Sequence, residues 1–324
     1  MRPARHLRCI ALTTLATTLA SGCGTSSTLN GAGASFPAAI YQRWFQDLAG
    51  KGIRVNYQSV GSGAGVRQFL AGTVAFAASD VPMKGEEVAR VSRGVLQLPM
   101  TAGAIAVAYN HQGCDLKLSQ TQLADIFFGK ITDYAQVGCA AKPIRVVFRS
   151  DGSGTTANFT AHLAAISPAW QAGPGSGKSI TWPTGVGAKG NEGVAAQLSQ
   201  LDGGISYVEA AYVKTPLQAA ALTNAGGQSL RPDNASSSQA LAAIDLGPEL
   251  TGSNPNPAVG YPIVTFSWIL LYKSGNGAQL DPLRQAFSHT LSPEAQAMAP
   301  QLGYVSLPAP VLDRARKRLD SLKP

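Results

Sequence analysis

The sequence predicts an α/β protein, and three observations carry that expectation. Strand-like and helix-like apolar spacings alternate along the chain, the pattern of sheets layered with helices. Glycine and hydroxyl residues gather where predicted strands hand over to predicted helices. Hydrophobic residues make up 45% of the 324 residues and charged residues 14%, which fills a core and carries too little charge for a disordered chain or a coiled coil. The length suits one large or two medium domains. The 35 glycines and 20 prolines, without a triplet period, exclude collagen and indicate a turn-rich fold.

The elements follow in chain order. Residues 37–49 place Ile40, Trp44 and Leu48 at i, i+4 and i+8 with Tyr41 and Phe45 beside them, an amphipathic helix. Residues 53–60 alternate as a strand, 66–71 read as helix and 75–78 as a short apolar strand. Further strands are expected at 96–98, 104–109, 144–148, 205–208 and 264–272. Helices are expected at 86–92, 121–128, 156–165, 192–201, 236–243, 282–290, 293–302 and 308–322. The last helix sets Val311, Leu312, Ala315 and Leu319 against Arg314, Arg316, Lys317 and Arg318, a solvated basic face. No internal repeat is visible.

A formal net charge of +8 would suit a nucleic-acid or anionic-membrane partner if it were spread over the body. Residues 1–22 hold Arg2, Arg5 and Arg8 without an acid, and residues 313–324 hold five bases against two acids, leaving +2 for residues 23–312. That distribution excludes a basic nucleic-acid binder. The three arginines precede an apolar run at 10–20, shorter than the roughly 20 residues that span a bilayer, so residues 1–22 read as a secretory signal peptide. Ala20-Ser21-Gly22-Cys23 resembles the lipobox of bacterial lipoproteins, with its leucine one place early at Leu19. This implies an acylated Cys23, a membrane-anchored protein of the periplasm or cell surface, and a flexible tether over residues 23–30. The competing reading is a soluble cleavage site with an incidental cysteine.

With Cys9 inside the signal and Cys23 carrying lipid, Cys114 and Cys139 remain for the folded body, and two such cysteines pair in an oxidising compartment. His6, His111, His162 and His289 are scattered and no CxxC occurs, so neither a metal site, a cofactor nor histidine-based catalysis is expected.

Three segments share one design: Gly31-Ala32-Gly33-Ala34-Ser35-Phe36-Pro37, Gly61-Ser62-Gly63-Ala64-Gly65 and Arg149-Ser150-Asp151-Gly152-Ser153-Gly154-Thr155-Thr156. A helix N-terminus offers unpaired N–H groups and partial positive charge, and glycine admits close approach to the backbone. Any one segment alone reads as an N-cap; three, one flanked by arginine, indicate an anion. Ala172-Gly173-Pro174-Gly175-Ser176-Gly177-Lys178-Ser179 matches a relaxed phosphate-loop pattern, but no strand precedes it and residues 180–183 read as extended, which argues against nucleotide binding. Gly185-Val186-Gly187-Ala188-Lys189-Gly190 matches the dinucleotide fingerprint formally and reads as a glycine-rich turn.

Residues 29–37, 55–63, Ala78-Ser79-Asp80 and residues 149–155 together resemble the signature segments of the PstS family, the substrate-binding proteins of bacterial high-affinity phosphate ABC transporters. Trp182-Pro183, Gly185, Gly187, Lys189-Gly190-Asn191, Gly193, Ile205-Ser206-Tyr207-Val208-Glu209 and Tyr304-Val305-Ser306-Leu307-Pro308 extend the likeness over the mature chain. The resemblance implies a two-lobed periplasmic-binding-protein type II fold with a ligand cleft, lobe one at 31–100 plus 263–324 and lobe two at 101–262, crossing at Pro99 and at Gly260-Tyr261-Pro262. It implies a monomeric receptor, without catalysis, that passes inorganic phosphate to membrane permease subunits. The implied phosphate contacts are Ser35, where many relatives have threonine, Phe36, Ser62, Asp80, Arg149, Ser153, Gly154 and Thr155, with Asp151 holding Arg149. An ionised Asp80 would accept the proton that phosphate carries and sulfate lacks. The alternatives are a receptor for sulfate or molybdate, and a phosphate-ester hydrolase with Ser62 or Ser153 as nucleophile, which would need a base or metal and lacks a GxSxG elbow.

Overall fold

A computed structural model describes residues 28–324; the signal peptide expected at 1–22 and the lipid attachment expected at Cys23 lie outside the described residues. The chain opens with Thr28–Gly33 (β1), Ala38–Ala49 (α1), Arg54–Ser59 (β2), Ser62–Leu70 (α2) and Phe76–Ser79 (β3), and β1 pairs in parallel with both β2 and β3. The expected stripe of α1 is buried: Ile40, Tyr41, Trp44, Phe45 and Leu48. Trp44 also donates its indole N–H to the Ala295 carbonyl at 2.9 Å, satisfying the one polar atom that its burial would orphan.

Gly85–Ala89 (α3) leads into Val95–Tyr109 (β4). There follow Lys117–Leu118 (β5), Gln120–Phe128 (α4), Arg145–Arg149 (β6), Gly154–Ile166 (α5), Pro168–Ala172 (α6), Val186–Ala188 (β7), Gly190–Gln200 (α7) and Gly204–Glu209 (β8). The chain closes with Gln218–Ala219 (β9), Ala221–Thr223 (β10), Ser229–Leu230 (β11), Asn234–Ala242 (α8), Val264–Tyr272 (β12), Leu280–Thr290 (α9), Pro293–Ala297 (α10) and Ala309–Leu319 (α11). The main strand order is β2-β1-β3-β12-β4-β8-β6-β7. Both β4 and β12 are buried throughout, as continuous apolar runs in the middle of a sheet must be.

Two lobes share β4. Its residues up to Ala104 pair antiparallel with β12, and from Ile105 onward it pairs with β8. On one side β1 lies between β2 and β3; on the other β6 lies between β7 and β8, parallel to both. The topology therefore repeats where the sequence shows no repeat. In each lobe the strand order reverses beside the central strand, and ligands of open α/β sheets bind in the crevice at the carboxyl ends of such strands. Those ends are the Gly33–Ser35 and Ser79–Asp80 segments in one lobe and Arg149 in the other.

The structure corrects several expectations. Residues 28–30 of the expected tether form β1, held by β2. The strands expected at 96–98 and 104–109 are one 15-residue strand, and Pro99 is a buried part of it, not a crossing. A register shift opposite it, between Ser267 and Trp268, accommodates a residue with no N–H to donate. α2 starts at Ser62, so most of the second glycine segment is helical. The turn expected at 185–190 contains β7, paired with β6. The helix expected at 293–302 stops at Ala297, and a separate 3-10 turn begins at Pro300, which cannot continue an α-helical ladder. Residues 172–179 leave α6 and enter no helix. In α11, Arg316 and Arg318 donate to the Leu291 and Pro248 carbonyls at 3.1 and 2.9 Å, so part of the basic face ties the chain together. Cys114 and Cys139 are disulfide-bonded.

Candidate functional site

The three glycine–hydroxyl segments and Asp80 converge where the two lobes meet. Ser35, Ser62, Asp80, Arg149, Ser153 and Thr155 are all buried, as is the Phe36 side chain. The glycines bring the loops against one another. Gly63 N–H donates to the Gly152 carbonyl at 2.8 Å. Gly154 N–H donates to Ser62 Oγ at 3.1 Å, and a Cβ on Gly154 would lie 2.6 Å from that oxygen and 2.7 Å from Asp80 Cβ. The smallness of glycine therefore serves the closing of the lobes as well as approach by a ligand.

The first loop is aimed by three tyrosines. Tyr57, Tyr212 and Tyr304 donate to the carbonyls of Ala34, Ser35 and Phe36 at 2.7, 2.8 and 2.8 Å. Because a trans peptide points its N–H opposite its carbonyl, fixing the Ser35 carbonyl fixes the Phe36 N–H. Burial pushes all three phenols above their ordinary range, so they remain donors.

Asp80 follows β3 and is 1% exposed. Its Oδ1 accepts from Ser267 Oγ at 2.8 Å, and its carbonyl accepts from Asn158 Nδ2 at 2.7 Å and Thr265 Oγ1 at 3.0 Å. Burial pushes its carboxyl up to about 7, against the opposing pull of Ser267, Arg149, Ser62 and Lys178. Arg149 ends β6, with its backbone N–H on Tyr207 Oη at 3.0 Å. Its guanidinium grips Asp151 through Nε–Oδ1 at 2.8 Å and Nη2–Oδ2 at 2.6 Å, the two-pronged fork that only arginine makes. Burial acts to discharge Arg149, but the Asp151 carboxylate outweighs it and the guanidinium is held above its usual range. Burial likewise opposes the charge on Asp151, yet Arg149 and the Gly190 N–H, at 2.9 Å, hold the carboxyl below its usual range.

Proton accounting defines what the hydroxyls offer, since each has one proton and two lone pairs. Ser62 Oγ accepts from the N–H groups of Asp80 and Gly154 at 3.3 and 3.1 Å. Thr155 Oγ1 receives Arg149 Nη1 at 3.4 Å and Asn191 Nδ2 at 3.2 Å, and Ser35 Oγ receives two N–H groups of Asn191 at 2.9 Å each. With those lone pairs taken, the protons are what remains to give; the Ser62 proton meets Asp80 Oδ2 only at a long 3.5 Å. Ser153 caps α5 by accepting from Thr156 N–H at 3.0 Å, which also leaves its proton free. Together with the Phe36 N–H, the N-terminus of α5 and the remaining guanidinium protons, this makes a site of donors facing one ionisable acceptor, Asp80. Among the described residues no group of three His, Cys, Asp or Glu side chains is placed to hold a metal ion.

Residues 18–294 match the family model of the PBP superfamily domain. A phosphate-binding protein PstS of Pasteurella multocida is 39% identical over 309 residues, covering 89% of each chain. Another PstS, from Haemophilus influenzae, is 38% identical over 90% of this chain and 92% of its own. The chain belongs to the PstS family. Among solved structures, the phosphate-binding protein of Stenotrophomonas maltophilia superposes with a TM-score of 0.74 at 21% identity, covering 90% of this chain and 93% of its own, so the fold is the two-lobed type II fold of PstS.

Within that fold the structure brings together every residue singled out from the PstS resemblance and adds supports that the sequence did not reveal. Ser267 lies in the apolar run of β12 and reads as core. Tyr57, Tyr212 and Tyr304 read as core aromatics. Asn191 follows Lys189-Gly190 in a segment whose residues give no sign of its task. Glu209 is buried, with burial raising its carboxyl well above the ordinary range; its Oε2 accepts from Ala211 N–H at 2.9 Å.

Proposed function

We propose that this chain is an exported receptor that binds inorganic phosphate between its lobes and delivers it to the permease of an ABC transporter. Ser35, Phe36, Ser62, Arg149, Ser153, Gly154 and Thr155 supply donors and Asp80 the acceptor. The observation that carries this reading is the imbalance of the site: with Asp151 paired to Arg149, many fixed donors surround one carboxylate, Asp80, that has no ion-pair partner among the described residues. Phosphate near neutrality is an anion that still holds a proton, so it satisfies the donors and gives that proton to Asp80. Sulfate and molybdate bring no proton and would face an ionised Asp80 with acceptor against acceptor. A site built around such a bond rejects an analogue lacking it by about 10⁴–10⁵.

The receptor reading includes no catalysis. The described histidines hydrogen-bond elsewhere: His162 to the Pro255 carbonyl at 2.6 Å, His111 to the Ala140 carbonyl at 3.0 Å and His289 to Lys51 at 3.1 Å. Neither Ser62 nor Ser153 is therefore paired with a described histidine that could act as its base. The lobes comprise residues 28–104 with 263–324, and 105–262, following the change of partner along β4. Anchoring through an acylated Cys23, a monomeric state and docking to permease subunits complete the proposal; no described helix is long and apolar enough to cross a membrane. Calorimetry of the mature protein with phosphate, sulfate and arsenate tests it. Tight phosphate binding with no heat from sulfate is expected, and equal binding of sulfate would overturn it.

A further inference from the structure

Asn191, the second residue of α7, is fully buried and has three of the four hydrogen-bonding positions of its amide occupied. Oδ1 accepts from the Glu209 N–H at 3.0 Å. Because that partner can only donate, the amide orientation is settled: Nδ2 faces the other way. There it donates to Ser35 Oγ at 2.9 Å and Thr155 Oγ1 at 3.2 Å, while the Asn191 backbone N–H donates to Ser35 Oγ at 2.9 Å. Ser35 belongs to the loop after β1, in one lobe; Thr155, Asn191 and Glu209 belong to the other. Tyr212, also of the second lobe, holds the Ser35 carbonyl, so Ser35 is gripped at both ends from across the cleft.

We propose that Asn191 is a positioning residue with two linked tasks. It fills both lone pairs of the Ser35 hydroxyl and, beside Arg149, one of Thr155, committing both protons to the bound anion, and it latches the closed form. Resting on the phosphate reading, this extends it to how the site is set. The bonds to Ser35 span the cleft and exist only when the lobes meet, so opening removes the donors that direct that hydroxyl. Donor polarity and closure thus come and go together, and a ligand that uses the Ser35 proton draws on both.

The chemistry admits few substitutes. Aspartate matches the size but places a second acceptor against the two hydroxyls and adds charge beside the anion. Alanine leaves the Glu209 N–H and both hydroxyls short of a partner.

The test is phosphate titration by calorimetry, with stopped-flow release rates, on wild type, Asn191→Ala, Asn191→Asp, Ser35→Ala and the Asn191→Ala/Ser35→Ala pair. Ligand-free urea unfolding runs alongside as a fold control. Asn191→Ala is expected to weaken binding by roughly 10–100-fold, the range of one or two lost bonds to a charged ligand, mostly as faster release. Asn191→Asp should weaken it further, and it carries the test if the alanine variant does not fold. In the pair the fold-losses should fall well short of multiplying, because Asn191 works partly through Ser35. Wild-type affinity and release in both Asn191 variants, or losses that multiply in full, would overturn the positioning role. A wild-type protein that binds no phosphate would fail at the first titration, sinking the phosphate reading and this inference with it.

Discussion

Replacing Asp80 with asparagine preserves the side chain's size while removing its charge and exchanging one acceptor oxygen for a donor. Burial pushes the Asp80 carboxyl from 3.8 to about 7, roughly three pH units, or on the order of 4 kcal/mol of ionisation cost carried by the ligand-free fold at high pH. The folded value lies above the unfolded one, so the contribution of Asp80 to stability is complete below about pH 4 and is lost as pH rises through 7. Between pH 5 and pH 8 that loss comes to about 2–3 kcal/mol. Asparagine does not titrate, so the stability of Asp80→Asn relative to wild type should rise by that amount over the same interval. Urea unfolding of both proteins without ligand, at the two pH values, reads this directly. Calorimetry reads the functional side: the variant should bind sulfate, whose oxygen then meets an N–H, and wild type should begin to accept sulfate below pH 7 as Asp80 gains its own proton. A stability gap equal at both pH values, or a variant that still binds phosphate tightly and ignores sulfate, would refute the reasoning.

Three further outcomes are expected. Arg149→Ala leaves Asp151 in a largely buried site without its fork and should cost about 3–5 kcal/mol in denaturant unfolding, whereas Arg149→Lys keeps the charge but should still lose at least about 100-fold in phosphate affinity, because one ammonium cannot grip Asp151 and the anion together. Gly154→Ala puts a methyl 2.6 Å from Ser62 Oγ and 2.7 Å from Asp80 Cβ; calorimetry should show phosphate affinity down by about 100-fold or more, because the lobes can no longer meet as closely. Reducing the Cys114–Cys139 bridge, with its sequence separation of 25, should lower stability by about 3 kcal/mol, while phosphate binding at saturating fold remains as in the oxidised protein.

Much of the fold was legible because amphipathic periodicity survives folding: the stripe from Ile40 to Leu48 and the apolar run of β12 lie where their spacing placed them. Proline misled at position 99, since a residue without an N–H signals a break in sequence but is tolerated in a strand where the partner's register slips. Short strands such as β7 carry too few residues for a period to show and exist because β6 offers an open edge. At the site, Ser35, Ser62, Ser153 and Thr155 were legible through their glycine neighbours, a local signature. Ser267 was not, because its bond to Asp80 joins residues 187 apart and a serine amid valine, phenylalanine, tryptophan and isoleucine carries no sign of a polar task. The tyrosines that aim the first loop were hidden for the same reason: an aromatic ring announces burial, and the direction of its hydroxyl is decided only by tertiary packing.

The place of β12 in the sheet has a consequence for the order in which this protein can be built. β12 lies between β3 and β4, yet it is made about 170 residues after β4 begins. Until it emerges, the lobe that contains the start of the chain has a gap at its centre, with the flanks of β3 and β4 unpaired. The other lobe draws its strands from one contiguous stretch and can complete its sheet first, as domains fold in units during synthesis. The lobe bearing Ser35, Ser62 and Asp80 is therefore finished last, and a chain halted near residue 262 would carry one folded half and one open, aggregation-prone half.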